Sequence, residues 1–294
     1  DKISPLVTKI GLSGNELSII HVAGTSGKGS LANILAQNLT ASGKKVGLFT
    51  SPPLQAEVER FAIDGLYIEL NEYYKRLVMI VDAACELADT DLGRPSIGDI
   101  NVVLAYEYFL ENNCELAVIE ALVGGQFDAS NVLENKVATV ITRIGLDHMH
   151  ILGDTTEKIA IDKAHIARAD VPLFCGEPDE KLRRIIQAVC DNEKAVFKSV
   201  LKDHKYDQHK LAKSVLNHLG FDLHIKSISL PGRFEIIVHK DKTIILDGAH
   251  NAQKVTWLLG QINKCFPDSQ IHLLLAASNN KNSKMYVEKL MRSA

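Results

Sequence analysis

The residues best suited to chemistry form a glycine-rich loop near the start of the chain. The segment His21-Val22-Ala23-Gly24-Thr25-Ser26-Gly27-Lys28-Gly29-Ser30 follows an apolar run and precedes a stretch with helical spacing. Glycines allow backbone N–H groups to close around phosphate oxygens, the helix start adds a positive dipole end, and a lysine can reach the β- and γ-phosphates. The sequence therefore predicts a nucleotide-binding loop made of Gly24, Thr25, Ser26, Gly27, Lys28, Gly29 and Ser30.

The loop departs from the strict G-x-x-x-x-G-K-[ST] pattern in two places. Val22 stands where the first glycine would be, and Gly29 separates Lys28 from Ser30, whose hydroxyl is of the type that ligates Mg²⁺ in such loops. A Gly- and Ser-rich turn with a solvated lysine is the simpler interpretation. The flanking strand and helix favour nucleotide binding.

Apolar, β-branched runs alternate with amphipathic stretches, and this alternation places the loop between a strand and a helix. The rhythm predicts an α/β fold with a doubly wound, mostly parallel sheet and helices on both faces. The predicted strands are Leu17–Val22, Val46–Thr50, Leu116–Ile119, Val137–Ile141 and Leu173–Cys175. The predicted helices are Ser30–Ser42, Asn71–Ala88, Ile100–Asn112, Ile159–Arg168 and Glu180–Val189. One stripe of the second helix is expected to face the core: Tyr74, Leu77, Val78, Val81 and Cys85.

A break at Ser229–Arg233, which contains Pro231-Gly232, divides the chain in two. We expect one domain at residues 1–230 and a smaller α/β domain at residues 231–294. The predicted strands of the second domain are Phe234–Val238, Thr243–Leu246 and Ile271–Ala276. Its predicted helices are Lys254–Lys264 and Lys284–Met291.

The bulk composition excludes several classes of protein. A hydrophobic content of 46% with 23% charged residues is typical of a soluble globular protein. The net charge of −3 gives no general attraction to nucleic acid or to an acidic membrane, and no apolar run approaches the roughly 20 residues of a membrane helix. The five cysteines form no Cys-x-x-Cys pair, so we expect free, mostly buried thiols in a reducing, cytoplasmic compartment.

The phosphate loop resembles the opening motif of the folylpolyglutamate synthase / dihydrofolate synthase family, which belongs to the Mur ligase superfamily. Further segments resemble other motifs of that family and follow in its order. They are Phe49-Thr50-Ser51-Pro52-Pro53-Leu54, Glu59-Arg60-Phe61, Ile119-Glu120, Gly124-Gly125-Gln126-Phe127-Asp128-Ala129-Ser130-Asn131, Ile141-Thr142-Arg143-Ile144-Gly145-Leu146-Asp147-His148, Leu152-Gly153-Asp154-Thr155, Asp162-Lys163-Ala164, Pro231-Gly232-Arg233-Phe234-Glu235 and Leu246-Asp247-Gly248-Ala249-His250-Asn251. Several motifs in one order are far more specific than any single one.

This resemblance implies an ATP-dependent ligase that joins L-glutamate to the carboxylate of a folate or dihydropteroate. In such ligases ATP donates its γ-phosphoryl group to the carboxylate, and the glutamate amine attacks the resulting acyl phosphate. Catalysis of such a transfer depends mainly on positioning and charge neutralisation. The resemblance also implies a P-loop-type ATP-binding domain, a Rossmann-like glutamate-ligase domain that is only partial here, and a monomer without nucleic-acid or membrane partners.

The resemblance also implies two Mg²⁺ ions. Ser51 and Glu120 would hold one with the nucleotide phosphates, and Ser30 would add a hydroxyl. Glu120 and His148 would help hold the second. The simpler interpretations are a surface carboxylate at the end of a strand for Glu120 and a solvated loop histidine for His148, since His150 lies two residues away.

The catalytic set implied by the resemblance is Lys28, Lys163, Asp247 and His250. Lys163 matches a lysine that is carbamylated in many family members, and a carbamate would give an anionic group able to support the metal site. An ordinary helix-surface lysine is the simpler interpretation.

In the second domain, the resemblance implies that Arg233 contacts the ATP phosphates and that Asn251 lies near the nucleotide. The simpler interpretation of Asp247-Gly248 is a plain turn after a strand.

Some positions depart from the family pattern, namely Pro53, Leu122-Val123, Gln126 and Asn280-Lys281-Asn282. Gln126 replaces an arginine, which removes a fixed cation that could order a loop or bind a substrate anion. The chain also ends before family members do, so we expect omitted residues.

Two alternatives to the folate ligase remain open. One is a cell-wall Mur ligase that acts on a UDP-sugar precursor. The other is a non-catalytic paralogue that binds nucleotide or folate. The choice between adding the first glutamate and extending a glutamate tail is open as well.

Overall fold

The structure, a computed structural model, describes residues 3–88, 90–91, 93–200, 206–222, 224–225, 229–240, 242–267, 269–276, 287–288 and 290. The chain divides into two compact units. One comprises Asp1–Ile144 and His148–Ser227, and the other comprises Gly145–Asp147 and Ile228–Ala294. The departure at Asn280–Asn282 and most of the helix predicted at Lys284–Met291 lie outside the described residues.

The larger unit is built on one eight-stranded sheet. Its strands are β1 (Ser18–Ala23), β2 (Val46–Phe49), β3 (Phe61–Ile63), β4 (Leu66–Tyr67), β5 (Leu116–Glu120), β6 (Lys136–Ile141), β7 (Pro172–Cys175) and β8 (Val196–Ser199). Their order across the sheet is β4-β3-β2-β5-β1-β6-β7-β8. The six strands β2, β5, β1, β6, β7 and β8 are neighbours in this order, and each pairs in parallel with the next. At the other edge, β3 pairs antiparallel with both β2 and β4. The predicted mostly parallel sheet is confirmed.

Helices connect these strands and cover the sheet. They are α1 (Ile3–Lys9), α2 (Lys28–Ala41), α3 (Leu70–Ala88), α4 (Ile97–Glu111), α5 (Met149–Leu152), α6 (Thr156–Ala164), α7 (Glu180–Asn192) and α8 (Gln208–His218). Side-chain oxygens of Ser96, Thr155 and Asp179 accept the backbone N–H three residues on. These caps satisfy donors that a helix start leaves unpaired, and they fix where α4, α6 and α7 begin.

The face of α3 that packs on the core differs from the predicted stripe. Tyr74 and Val78 are 55% and 59% exposed, and Cys85 is exposed as well. The buried side chains are Tyr73, Ile80 and Ala84, and Leu77 and Val81 pack against the core while partly buried. Some apolar residues of this helix lie beside the buried face and are exposed, as Tyr74, Val78 and Met79 are, so its sequence allows two stripes one residue apart. Packing against the neighbouring helices selects between them.

The smaller unit contains the antiparallel strands β9 (Glu235–His239) and β10 (Lys242–Leu246) and the helix α9 (Ala252–Cys265). The strand predicted at Ile271–Ala276 is wrong, because these residues have no strand conformation. Leu274 within this segment is 99% exposed. An apolar run becomes a strand only when a neighbour pairs with its backbone groups, and no strand pairs with this run in the described part of the chain.

The cysteines are free thiols, as predicted. Cys114, Cys175 and Cys190 are buried, whereas Cys85 and Cys265 are exposed. Burial raises the pKa of Cys175 and of Cys190 to about 12, so these two thiols stay protonated and unreactive. Among the described helices, none combines the length and the apolar composition that crossing a bilayer requires.

A carboxylate fixes the turn that leads into β1. Glu16 accepts the backbone N–H groups of Ser13, Gly14 and Asn15 at 2.6, 3.0 and 3.1 Å, and the hydroxyl of buried Tyr106 at 2.9 Å. Burial raises the pKa of Glu16, but these hydrogen bonds outweigh it and lower the pKa to about 2. The ionised form is therefore stabilised in the folded state.

We expect Glu16→Gln to lower the free energy of unfolding at neutral pH, because the amide accepts these hydrogen bonds less strongly. The pKa of Glu16 is lowered on folding, so its stabilisation is fully present above about pH 4.5 and is lost towards pH 2. The difference between variant and parent should shrink over that range. Urea unfolding at several pH values measures it, with Glu86→Gln as a control that breaks only the surface ion pair with Lys9. A difference that does not change with pH would contradict this account.

Candidate active site

The phosphate loop joins the end of β1 to the start of α2. Gly24 has φ of 141°, and a Cβ atom at this position would overlap Oγ1 of Thr142. The N–H of Thr25 donates to the carbonyl oxygen of Arg143 at 2.6 Å. The loop is therefore held closely against the residues that follow β6. Such a crevice at the carboxyl ends of parallel strands is where doubly wound sheets bind ligands.

A buried carboxylate lies beside the start of α2. Glu120, the last residue of β5, is only 3% exposed, so its interpretation as a surface carboxylate is wrong. Its Oε1 lies 3.8 Å from Nζ of Lys28, and its Oε2 accepts the N–H of Ser51 at 3.1 Å. A Cβ atom at Gly29 would lie 2.9 Å from Oε2. The glycine that departs from the strict loop pattern thus lets Glu120 approach the helix.

Ser51 is oriented by an arginine to which the sequence analysis gave no role. Nη1 of Arg60 donates to Oγ of Ser51 at 2.9 Å, and its Nε donates to Glu57 at 2.6 Å. Glu59 accepts the N–H of Leu54 at 2.7 Å. The neighbouring motifs that contain Ser51 and Glu59-Arg60 therefore form one hydrogen-bonded turn. Their adjacency was the only sequence signal for this role of Arg60.

The remaining predicted metal ligands are less closely grouped. Ser30 lies in the first turn of α2 and is partly exposed, and His148 is exposed just before α5. The ring centroid of His148 lies 6.4 Å from that of His150. Over the described ranges, no group of three or more His, Cys, Asp or Glu side chains is arranged to hold a metal. A role of His148 in metal binding stays a prediction.

Lys163 lies in the interior, so its interpretation as a helix-surface lysine is wrong. It is 3% exposed near the end of α6. The loop after β5 passes over it, because a Cβ atom at Gly125 would lie 2.7 Å from Cα of Lys163. The N–H of Gln126 donates to the carbonyl oxygen of Asp162 at 3.0 Å. The side chain of Gln126, which replaces the family's arginine, points outward and is exposed.

A series of buried polar side chains below this loop was not among the sequence-based predictions. Oγ of Ser130 donates to Oδ1 of Asp128, and it lies 2.7 Å from Nε2 of His21. His21 is fully buried on β1. Burial lowers the pKa of His21 well below its usual value, and the charges of Lys136 and Arg168 lower it further. A polar residue inside an otherwise apolar strand was the only signal for this series in the sequence.

In the smaller unit, Arg233 and Asp247 lie where β9 begins and β10 ends. Arg233 is exposed, and its Nη1 donates to the carbonyl oxygen of Gly232 at 3.3 Å. Oδ2 of Asp247 accepts the N–H of Phe234 at 2.8 Å, and the N–H of Gly248 donates to the same Gly232 carbonyl at 2.9 Å. These bonds join the two ends of the hairpin.

His250 and Asn251 precede α9. Nδ1 of His250 lies 2.9 Å from the carbonyl oxygen of Gly248, and its Nε2 lies 3.1 Å from Nζ of Lys254. His250 is exposed, yet the protein around its ring removes part of its hydration and lowers its pKa, and the charge of Lys254 lowers the pKa further. A neutral ring that donates through Nδ1 and accepts through Nε2 fits these contacts. Asn251 caps α9 by accepting the N–H of Lys254, and it donates to Oδ2 of Asp147 at 3.2 Å.

The predicted site residues thus form two groups. Lys28, Ser51 and Glu120 lie together in the larger unit, with Lys163 buried in the same unit. The group in the smaller unit is Arg233, Asp247, His250 and Asn251.

Comparison with known proteins identifies relatives of this chain. No family-wide sequence profile matches it. The dihydrofolate synthase/folylpolyglutamate synthase of Bacillus subtilis (strain 168) is 27% identical over 335 aligned positions, which cover 98% of this chain and 77% of that protein. A folylpolyglutamate synthase of Arabidopsis thaliana is 35% identical over 179 residues, 60% of this chain and 31% of that protein. A solved FPGS–AMPPCP–folate complex is 25% identical with a TM-score of 0.87, over 99% of this chain and 82% of the solved chain.

Proposed function

This chain belongs to the dihydrofolate synthase/folylpolyglutamate synthase family, and we propose that it uses ATP to join L-glutamate to the carboxylate of a folate or dihydropteroate. The observation that carries the proposal is the burial of Glu120 between Lys28 and the backbone of Ser51, next to a glycine loop at the carboxyl ends of parallel strands. The names of the relatives support the choice of folate and glutamate as substrates.

The proposed reaction has two steps. A carboxylate oxygen of the folate attacks the γ-phosphorus of ATP, and the bond to the bridging oxygen breaks to release ADP. The glutamate nitrogen then attacks the acyl carbon, inorganic phosphate leaves, and the nitrogen loses a proton as the amide forms. Backbone N–H groups of the loop and the ammonium of Lys28 stabilise the charge on the transferred phosphoryl group.

Magnesium is the metal that fits the residues beside the loop. Mg²⁺ is usually held by one or two carboxylates together with substrate phosphates and water. The buried carboxylate of Glu120 meets that need, with the hydroxyls of Ser51 and Ser30 as neutral oxygen donors. When bound, the metal would neutralise charge on the nucleotide phosphates. We assign Glu120 and His148 to a second ion.

The remaining residues of the predicted set have proposed roles in binding and proton transfer. Arg233 is assigned to the ATP phosphates and Asn251 to the nucleotide. Asp247 and His250 are assigned to the reacting groups, and Nε2 of His250, once released from Lys254, accepts the proton that the glutamate nitrogen loses.

Lys163 is assigned to the catalytic set, and its amine is proposed to be carbamylated. Lys163 is buried and the loop after β5 packs against it, which supports a role in the site and not that of a solvated surface lysine. Carbon-13 NMR of the protein in labelled bicarbonate should show a carbamate resonance that Lys163→Arg abolishes. A spectrum that is the same for variant and parent would remove the modification from the proposal.

Glutamate-dependent release of ADP tests the function. We expect continuous release of ADP only when ATP, L-glutamate and a folate or dihydropteroate are all present. The carboxylate accepts the phosphoryl group from ATP, and the glutamate amine must consume the acyl phosphate before the next turnover. Dihydropteroate and the folate are offered in separate reactions, so the assay also shows whether the first glutamate is added or a tail is extended. Tight ATP binding without turnover on any of them would favour a non-catalytic paralogue. Thermal stabilisation by a UDP-muramyl substrate alone would favour a cell-wall ligase.

We also propose that the protein acts as a cytoplasmic monomer on small molecules. Five free thiols support a reducing compartment, and a net charge of −3 supports the lack of nucleic-acid and membrane partners. Light scattering at assay concentration tests the monomer.

A further inference from the structure

A series of hydrogen bonds crosses the interior between β1 and the loop after β5. Because the single proton of the Ser130 hydroxyl goes to Asp128, the Ser130 oxygen must accept from Nε2–H of His21. Nδ1 of His21 then carries no proton, and this buried atom has no hydrogen-bond partner among the described residues. All three side chains are buried. The direction of donation therefore runs from His21 through Ser130 to Asp128.

Asp128 also fixes the two ends of its own loop. Its Oδ2 accepts the N–H of Val123 at 2.6 Å, and its Oδ1 accepts the N–H of Ser130 at 2.9 Å. Burial raises the pKa of Asp128 above its usual value, and these hydrogen bonds and the positive charge of Lys163 offset this rise only in part. The positive charge of Lys163 thus acts on this carboxyl group. The carboxyl group is also bonded to both sides of the segment that packs over the backbone of Lys163.

We propose that His21, Ser130 and Asp128 are positioning residues for Lys163. They fasten the loop 123–130 to β1, and this loop holds α6 at Gly125 and Gln126. Since β1 leads directly into the phosphate loop, the same series of hydrogen bonds sets the position of Lys163 relative to Lys28. The inference rests on the proposed function, and it applies whether the amine of Lys163 is free or carbamylated.

The physical basis is the cost of partly satisfied polar groups in the interior. If the Ser130 hydroxyl is removed, Nε2–H of His21 loses its acceptor and Asp128 loses a donor at the same time. A buried polar group without its partner is unfavourable, so the loop should shift to satisfy both. Small displacements of a group that acts on a reacting centre can cost large factors in rate.

Ser130→Ala tests the proposal against Ser130→Thr, which keeps the hydroxyl. We expect Ser130→Ala to lower kcat by roughly 10-fold or more and to leave KM for ATP within about 2-fold, because the phosphate loop itself is intact. Ser130→Thr should restore kcat. Where Ser130→Ala does not fold, His21→Leu replaces it, since that change removes the donor to Ser130 at the other end of the series.

Amine labelling provides a readout that does not depend on activity. The protein is treated with an acylating reagent in bicarbonate-free buffer, and the modification of Lys163 and Lys136 is followed by mass spectrometry. Lys136 is equally buried but bonds to Asn131 and to the Ile166 carbonyl. We expect labelling of Lys163 to rise roughly 10-fold in Ser130→Ala, with Lys136 unchanged and Ser130→Thr like the parent.

The outcomes separate this inference from the proposed function. Equal labelling of Lys163 in Ser130→Ala and in the parent, or an equal rise at both lysines, overturns the positioning role. Absence of ligation by the parent protein overturns the proposed function instead, and the labelling comparison is still decisive in that case.

Discussion

Glu120→Gln is expected to lower kcat for ligation by about 10²–10³-fold, which is the usual loss when one preorganised charge is removed from a phosphoryl or acyl transfer site. The amide keeps the size of the side chain and an oxygen to accept the N–H of Ser51, so the fold should be retained. The negative charge next to Lys28 and at the start of α2 is lost. ADP release at saturating substrates measures the effect, and the magnesium concentration that gives half-maximal rate should rise.

The matched control is Glu177→Gln. Glu177 is also 3% exposed, and it accepts the N–H groups of Ile144 and Asp179 at 2.5 and 2.9 Å. Its carboxylate therefore has a structural role in the same unit, and its variant should lose stability with little change in kcat. If Glu120→Gln kept the parental kcat and magnesium dependence, the assignment of Glu120 to the phosphate and metal site would be wrong.

The sequence predicts the sheet well because its central strands are buried on both sides. Such strands are continuous apolar runs, as in Val46–Phe49 and Ala117–Ile119, and they stand out from the amphipathic helices. The phosphate loop is also predictable, because the conformation that surrounds a phosphate needs glycines near one another in sequence. Both kinds of signal are local.

The features that the sequence does not predict depend on distant contacts. Gly29 looks like an interruption of the loop pattern until Glu120, from another strand, is seen to lie against it. Lys163 looks like a surface residue until the loop after β5 is placed over it. The stripe on α3 and the segment Ile271–Ala276 fail for the same reason, because neighbours elsewhere in the chain decide which face is buried and whether a strand forms.

Gly24→Ala is expected to have the largest effect on folding of any single change in the phosphate loop. An L-residue at positive φ costs about 1–2 kcal/mol, and the added Cβ would overlap Oγ1 of Thr142. Overpacking of a filled interior costs a further 1–3 kcal/mol, roughly. The sum is about 2–5 kcal/mol, a large part of the roughly 5–15 kcal/mol of free energy that holds a typical domain folded. The midpoint of urea unfolding measures the loss.

Gly43→Ala separates the two contributions to that loss. Gly43 has φ of 90°, and a Cβ atom there would meet nothing within 4 Å, so its variant carries the backbone cost without the overlap. We expect Gly43→Ala to lose only about 1–2 kcal/mol and to bind ATP as the parent does. Gly24→Ala should lose clearly more stability and also bind ATP more weakly, because relief of the overlap requires the loop to move away from the end of β6. Equal stability of the two variants would mean that the phosphate loop is not packed against Thr142.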